Sequence, residues 1–439
     1  MAPKNRIIID TDPGVDDVFA LLLALAAHPE ELEVVMISVT YGNVPLLSCL
    51  RNVVALFHVI EKENAWRKAN GKPEGFESLK TFKPIVAVGA EHPLDDDELM
   101  ADHFHGADGL HGVHEAHPEL SPADTWKSLF LDATSGPVES ADPPSYANFF
   151  VPSKTVAHKE ILRILKENPE DTVSLVTIGP LTNAALAAAE DPETFLKLKE
   201  VIVMGGAVHV PGNITPVGEF NSYADVVAAA RVYALTSPTP ASTMPPIPDT
   251  IATLPPYPAA LSRRLKLSLF PLDVTTPHLL GKGFFDDTIK PLVEQGSPLA
   301  RWLGTVMHGT YNKIVSMVGS EVEPGLSLHD PLCIWYAMTA GDPAWKPVPE
   351  PEDIRIETSG QWTRGMHVVD RRARGRPKGA KRSGGATHPE DPLDAVQLDE
   401  VPGDEFGWLS AARGNRINRM VGTPGEEIFA PLLMKYLFG

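Results

Sequence analysis

The segment Asp10-Thr11-Asp12-Pro13-Gly14-Val15-Asp16-Asp17 puts four carboxylates into one short turn. It follows the apolar run Ile7-Ile8-Ile9 and precedes the helix-like run Val18 to Ala27. A buried strand thus delivers four negative charges to one point. Carboxylates held that close raise each other's pKa and repel unless a cation neutralises them. Oxygen-only ligands favour a hard ion such as Ca²⁺ or Mg²⁺ over zinc, which prefers nitrogen and sulfur. A turn with a helix N-cap accounts for one or two aspartates there, not four. An EF-hand does not fit, because the twelfth position counted from Asp10 is Leu21 rather than Glu. A phosphohydrolase with an Asp-x-Asp nucleophile would want Thr or Val two residues past Asp12, where Gly14 stands.

The elements that must position this turn alternate between strand and helix. Leu32 to Val39 reads as a strand and is followed by Tyr41-Gly42-Asn43; Leu46 to Glu61 has helical spacing. Pro84 to Val88 is strand-like, His158 to Glu167 helical, Thr172 to Ile178 a strand, Leu181 to Glu190 an alanine-rich helix, and Leu198 to Met204 a strand. This alternation predicts a Rossmann-like α/β fold: a mostly parallel central sheet with helices on both faces. Ligands of such sheets bind beyond the carboxyl ends of the strands. The Asp turn, Tyr41-Gly42-Asn43, Ile178-Gly179-Pro180 and Met204-Gly205-Gly206 all lie at such ends, so they are expected to converge.

The 439 residues read as one domain with three insertions, at 116–153, 237–258 and 371–405. The first is rich in Pro, Ser and acid, and the second carries eight prolines. The third holds a basic run, 371–382, followed by an acidic stretch, Glu390 to Glu405. All three read as surface loops or disordered segments. Within the basic run, Arg374-Gly375-Arg376-Pro377 resembles the core of an AT-hook, a minor-groove binder. The net charge of −19 argues against a nucleic-acid partner, which needs a basic surface. Two cysteines, Cys49 and Cys333, cannot build a disulfide framework or zinc site and fit a reducing cytosol. No apolar stretch reaches membrane-spanning length, and the first strand begins too early for a signal peptide. A cytoplasmic location is expected.

The Asp10–Asp17 block resembles the signature of the nucleoside hydrolases, the inosine–uridine-preferring nucleoside N-ribohydrolases. Further matches follow in the same order: Tyr41-Gly42-Asn43, His105-Gly106-Ala107-Asp108-Gly109-Leu110, Gly179-Pro180-Leu181-Thr182-Asn183, Met204-Gly205-Gly206, Glu219-Phe220-Asn221, Leu272-Asp273-Val274-Thr275, His329-Asp330-Pro331 and Thr363-Arg364-Gly365-Met366. The resemblance covers about residues 6–236, 265–370 and the C-terminal tail. It implies the nucleoside hydrolase fold, Ca²⁺-dependent cleavage of the N-glycosidic bond of ribonucleosides to ribose and free base, and a homodimer or homotetramer.

The resemblance also implies roles. Asp12 binds Ca²⁺ and acts as base toward the attacking water; Asp17, the main-chain carbonyl of Ile178 and Asp330 complete the protein ligands. Asp16, Asn43, Met204, Asn213, Glu219 and Asn221 are expected on the ribose side, while Asp10 orders the turn. For the leaving base the first candidate is His329, a histidine near neutral pKa, with His105 shaping the pocket. Tyr311 has two readings, stacking on the base or packing its helix against the core. Leu181-Thr182-Asn183 and Asp273-Val274-Thr275 are expected to support these groups. The chemistry suits the residue types, since glycosidic hydrolysis passes through an oxocarbenium-like sugar that surrounding carboxylates favour. A nucleoside-binding protein without activity would explain the ribose groups, but every expected ligand position is filled. Neither the preferred base nor the purpose of the insertions is legible in the residues.

Overall fold

Ile7, Ile8 and Ile9 alternate between two hydrophobic clusters, Ile7 and Ile9 in one and Ile8 in the other. That is what a strand covered on both faces requires. The computed structural model describes residues 3–95, 97–130, 144–246, 254–372 and 403–439. In it, strand β1 (Asn5–Thr11) lies in the middle of a nine-stranded sheet.

The other main strands are β2 (Leu32–Val39), β3 (Ile85–Val88), β4 (Val151–Pro152), β5 (Ser174–Thr177), β6 (Glu200–Met204) and β7 (Leu267–Phe270). From one edge the order is Lys346–Pro347, Asn418–Gly422, β7, β6, β5, β1, β2, β3, β4. All neighbours pair in parallel except Lys346–Pro347 with Asn418–Gly422. The register puts Asp10 beside both Ser38 and Thr177. Five adjacent strands, β7, β6, β5, β1 and β2, therefore end on the same side of the sheet.

The first helix, α1 (Val15–Ala26), is buried along its length from Val15 to Leu25. Asp16 and Asp17 in its first turn face the positive end of the helix dipole. Pro29 follows two residues past its cap, where a helix cannot continue. Helices Leu46–Ala69, Pro298–Val318, His329–Thr339 and Glu426–Phe438 join α1 on one face of the sheet. Ala157–Glu167, Thr182–Glu190 and Val226–Ala234 cover the other. The doubly covered parallel sheet agrees with the expected class. Cys49 and Cys333 are buried free thiols.

Some boundaries differ from expectation. The second helix runs on to Ala69 rather than stopping near Glu61. Its charged end is stabilised internally, because Arg67 Nε donates to Glu63 Oε1 at 2.7 Å one turn away and both side chains are buried. The described parts of the stretch 116–153, residues 116–130 and 144–153, are more than a surface loop. Their turns Pro118–Leu120, Asp124–Leu129 and Ser145–Phe149 put Leu120, Trp126 and Tyr146 into the core, and Phe150 stacks on Phe57. The Arg374–Pro377 motif lies outside the described residues, as does most of the acidic stretch after it. At the described edges of that insertion, Arg371 Nη2 donates to the Val208 carbonyl at 2.6 Å, and Arg372 pairs with Asp370 and Asp404. Among the described residues, no helix is long and apolar enough to cross a membrane.

Candidate active site

The turn after β1 is built around Asp17. Its Oδ1 accepts hydrogen bonds from the Thr11 hydroxyl at 2.6 Å and the Asp12 N–H at 3.3 Å. Its Oδ2 accepts from the Gly14 N–H and the Asn43 amide, both at 3.0 Å. Asp17 thus closes the turn that bears it.

Asp12 sits between two glycines that follow β2 and β5. A Cβ on Gly42 would lie 2.0 Å from Asp12 Oδ2, and one on Gly179 2.4 Å from Oδ1. Any larger residue at either place would expel the carboxylate. Oδ2 accepts from the Asn43 N–H at 2.7 Å, while Oδ1 is buried without a partner. A buried carboxylate oxygen without a donor is costly unless a cation meets it.

Asp330 enters from the first turn of His329–Thr339, which packs on α1. One oxygen each from Asp16, Asp17 and Asp330 lies within 4.8 Å of the others. Burial and, next, the charge on Asp17 push the carboxyl of Asp16 up to about 7 and that of Asp12 well above its usual range. Asp330 is raised strongly by burial and by Asp16, Asp17 and Asp12 in that order; Asp17 is raised by burial. Four carboxyls raised by burial, three of them (Asp12, Asp16 and Asp330) also by neighbouring carboxylate charge, suit a hard cation, and the oxygens of Asp16, Asp17 and Asp330 are the ones that come together. These residues can hold a metal ion.

Asp10 stands behind the group. Its Oδ1 accepts from the Ser38 hydroxyl at 2.5 Å and the Asn183 amide at 2.8 Å, and burial raises it to about 7. Asn183 Oδ1 in turn accepts from the Ala90 N–H, which ties the ends of β1, β2 and β3 together.

The polar groups expected on the ribose side gather at the ends of β5 and β6. Asn221 Nδ2 donates to the Ile178 carbonyl at 3.1 Å and lies 3.4 Å from both the carbonyl and the sulfur of Met204. Glu219 caps the short helix Phe220–Ala224, accepting from the N–H groups of Gly206, Asn221 and Ser222. Asn213 Oδ1 accepts from the Phe220 N–H at 2.9 Å and so fixes the loop before that helix. Asn43, already bonded to Asp17, also donates from its side chain to the Asp12 carbonyl.

Two histidines flank the carboxylates. His105 Nδ1 accepts from the Val15 N–H at 3.1 Å, which leaves the proton on Nε2, and burial holds its pKa near 3. His329 Nδ1 lies 2.7 Å from the Thr275 hydroxyl. Packing around the ring, and then His278, lower it to about 4, well below the near-neutral value expected. Both rings are therefore neutral hydrogen-bonding groups near pH 7. Tyr311 makes packing contacts: its hydroxyl donates to the Leu280 carbonyl at 3.0 Å, and its ring meets Phe285 edge-on.

One contributor carries no sequence signal. Asn52, inside the helix Leu46–Ala69, donates to the Pro13 carbonyl at 2.8 Å and the Asp108 carbonyl at 2.9 Å. Its own carbonyl meets His114 Nε2 at 2.8 Å. Asn52 thereby staples the His105–Leu110 loop to the Asp turn.

The profile of the inosine-uridine preferring nucleoside hydrolase family matches residues 7–391. The pyrimidine-specific ribonucleoside hydrolase RihA of Salmonella typhimurium is 30% identical over 369 residues, covering 83% of this chain and 88% of RihA. An uncharacterized protein of Schizosaccharomyces pombe is 28% identical over 366 residues, 83% of this chain and 89% of that one. Among solved structures, a plant nucleoside hydrolase superposes with a TM-score of 0.61 at 21% identity, covering 99% of each chain. The purine-preferring ribonucleoside hydrolase of Gardnerella vaginalis gives 0.61 at 20% identity over 98% of each. At those identities the structural likeness speaks for the fold.

Proposed function

The chain belongs to the inosine-uridine preferring nucleoside hydrolase family, and we propose that it hydrolyses ribonucleosides with the aid of a bound calcium ion. The reaction class is that of the family: the N-glycosidic bond is cleaved to give ribose and free base. The observation that carries the calcium reading is the meeting of Asp16, Asp17 and Asp330 oxygens within 4.8 Å of one another; the unpartnered oxygen of buried Asp12, in the same turn, supports it.

Asp12, Asp17, Asp330 and the Ile178 carbonyl would hold the ion. When bound, it offsets the carboxylate charges and supplies a Lewis acid for water and ribose hydroxyls. Asp12 takes the proton of the attacking water through the oxygen that Asn43 leaves free. Asp16, Asn43, Asn213, Glu219, Asn221 and the main chain at Met204 bind and orient the ribose. The surrounding carboxylates stabilise positive charge on the sugar as the bond to the base breaks. His329 Nε2 donates a hydrogen bond to the departing base, whose ring nitrogen takes the bonding electron pair and then a proton from solvent, to which Asp12 returns the proton it took from water. His105 presents its Nε2–H on the same side, and Tyr311 holds its helix against the core.

The test is reducing-sugar release from a panel of purine and pyrimidine nucleosides, with and without chelator. Ribose formation that depends on metal is the expected result. Phosphate release from nucleotides, without ribose from any nucleoside, would overturn the reading.

A further inference from the structure

We infer that Thr275 is a positioning residue for the leaving-group step, its hydroxyl holding His329 so that Nε2–H is the group presented to the base. The inference rests on the role given to His329 above. The Thr275 Oγ1 to His329 Nδ1 contact is 2.7 Å, and Thr275 is fully buried.

Both ends of this contact are held independently. Thr275 closes the short helix Leu272–Thr275, with its N–H on the Pro271 carbonyl at 3.1 Å. The His278 N–H bonds back to the Thr275 carbonyl, and the His278 carbonyl accepts from the Leu328 N–H at 2.8 Å. The turn that carries Thr275 is therefore tied to the residue before His329. In the same helix, Asp273 accepts from the N–H groups of Val208 and His209, which anchors that turn to the loop after β6.

The chemical identity of the partner decides what the imidazole can do. A carboxylate at Nδ1 accepts only; it would fix the tautomer with the proton on Nδ1 and leave Nε2 a bare acceptor. A hydroxyl can donate to Nδ1 and so permits the tautomer with the proton on Nε2. With Nδ1 held by that hydroxyl, His329 offers Nε2–H as a donor to the base as its ring nitrogen gains the electron pair of the broken bond. Tying Nδ1 back to Thr275 also turns Nε2, on the opposite side of the ring, away from that residue.

The experiment compares kcat and KM of Thr275→Val, Thr275→Ser, His329→Ala and the Thr275→Val/His329→Ala double variant. The substrates are inosine, uridine and p-nitrophenyl riboside, whose phenolate departs without a donor. Thr275→Val is expected to lose on the order of 10- to 100-fold in kcat on the nucleosides, with KM and the p-nitrophenyl rate nearly kept. Thr275→Ser should return most of the loss, and the double variant should match His329→Ala. Where Thr275→Val does not fold, Thr275→Ala reads the same loss. Parental nucleoside rates in Thr275→Val, or equal loss on all three substrates, overturn the inference. So does additivity in the double variant. A His329→Ala variant that loses equally on all substrates overturns the reading of His329 and this inference with it. A selective His329→Ala beside an unaffected Thr275→Val overturns the role of Thr275 alone.

Discussion

The Asn43 main-chain N–H donates to Asp12 Oδ2 at 2.7 Å, while Asp12 Oδ1 stays buried without a partner. One loop residue thus makes the two oxygens of a single carboxylate unequal. The held oxygen fixes orientation and the free one is left for chemistry. Asp12→Asn keeps the shape but removes the base. It should fold like the parent and lose at least about 10²-fold in kcat. Near-parental turnover in Asp12→Asn would remove Asp12 from the base role.

The glycines around Asp12 make a second, steric prediction. Gly179→Ala would bring a methyl within 2.4 Å of Asp12 Oδ1. Small misplacements of a reacting group can cost about 10²-fold, so activity should fall at least that far. Gly341→Ala, with open space around it, is the matched control and should be silent. Equal activity in the two variants would contradict the cradle.

Asn52→Ala removes the staple between the Asp turn and the His105 loop, and leaves the Pro13 and Asp108 carbonyls short of a donor. About 1–3 kcal/mol of stability should be lost in urea unfolding. Activity should drop beyond what unfolding explains, because the loop bearing His105 is then tied to the Asp turn through the His105–Val15 bond without the Asn52 staple. A variant with parental stability and rate would show the contact to be idle.

His367 gives a pH prediction away from the carboxylates. It is fully buried against the Tyr233 hydroxyl, and burial lowers its pKa from 6.5 to about 4. Between those values the unfolded chain binds a proton that the folded chain excludes. The His367 contribution is therefore intact above pH 6.5 and is lost as pH falls toward 4, by on the order of 3 kcal/mol. Urea unfolding at about pH 7.5 and about pH 5 should show a smaller acid loss in His367→Gln than in the parent. Identical losses would place the acid sensitivity elsewhere.

How much of this was legible in the residues follows from how each group is encoded. The Asp turn could be read because the short passage from β1 into α1 carries all four carboxylates, and the parallel sheet because strands and helices alternate. Asp330 was reachable through its own short motif. Asn52 was not, since it matters only because its helix passes over a loop 39 residues away in sequence. Thr275 lies within the Leu272-Asp273-Val274-Thr275 motif, but its partner is 54 residues distant. An aromatic such as Tyr311 serves packing or stacking equally well on a pattern of spacing; only its bond to the Leu280 carbonyl shows where the hydroxyl goes. Leu120, Trp126 and Tyr146 were hidden by the polar, proline-rich stretch around them, whose composition masks a few core-facing side chains.

We propose that Asp12, Asp17 and Asp330 hold a calcium ion required for nucleoside hydrolysis. The most direct test is ribose release by protein stripped with chelator, before and after calcium is returned, for the parent and for Asp330→Asn. Activity should vanish on stripping and return with calcium in the parent but not in Asp330→Asn. Full ribose release from the stripped parent would contradict the proposal.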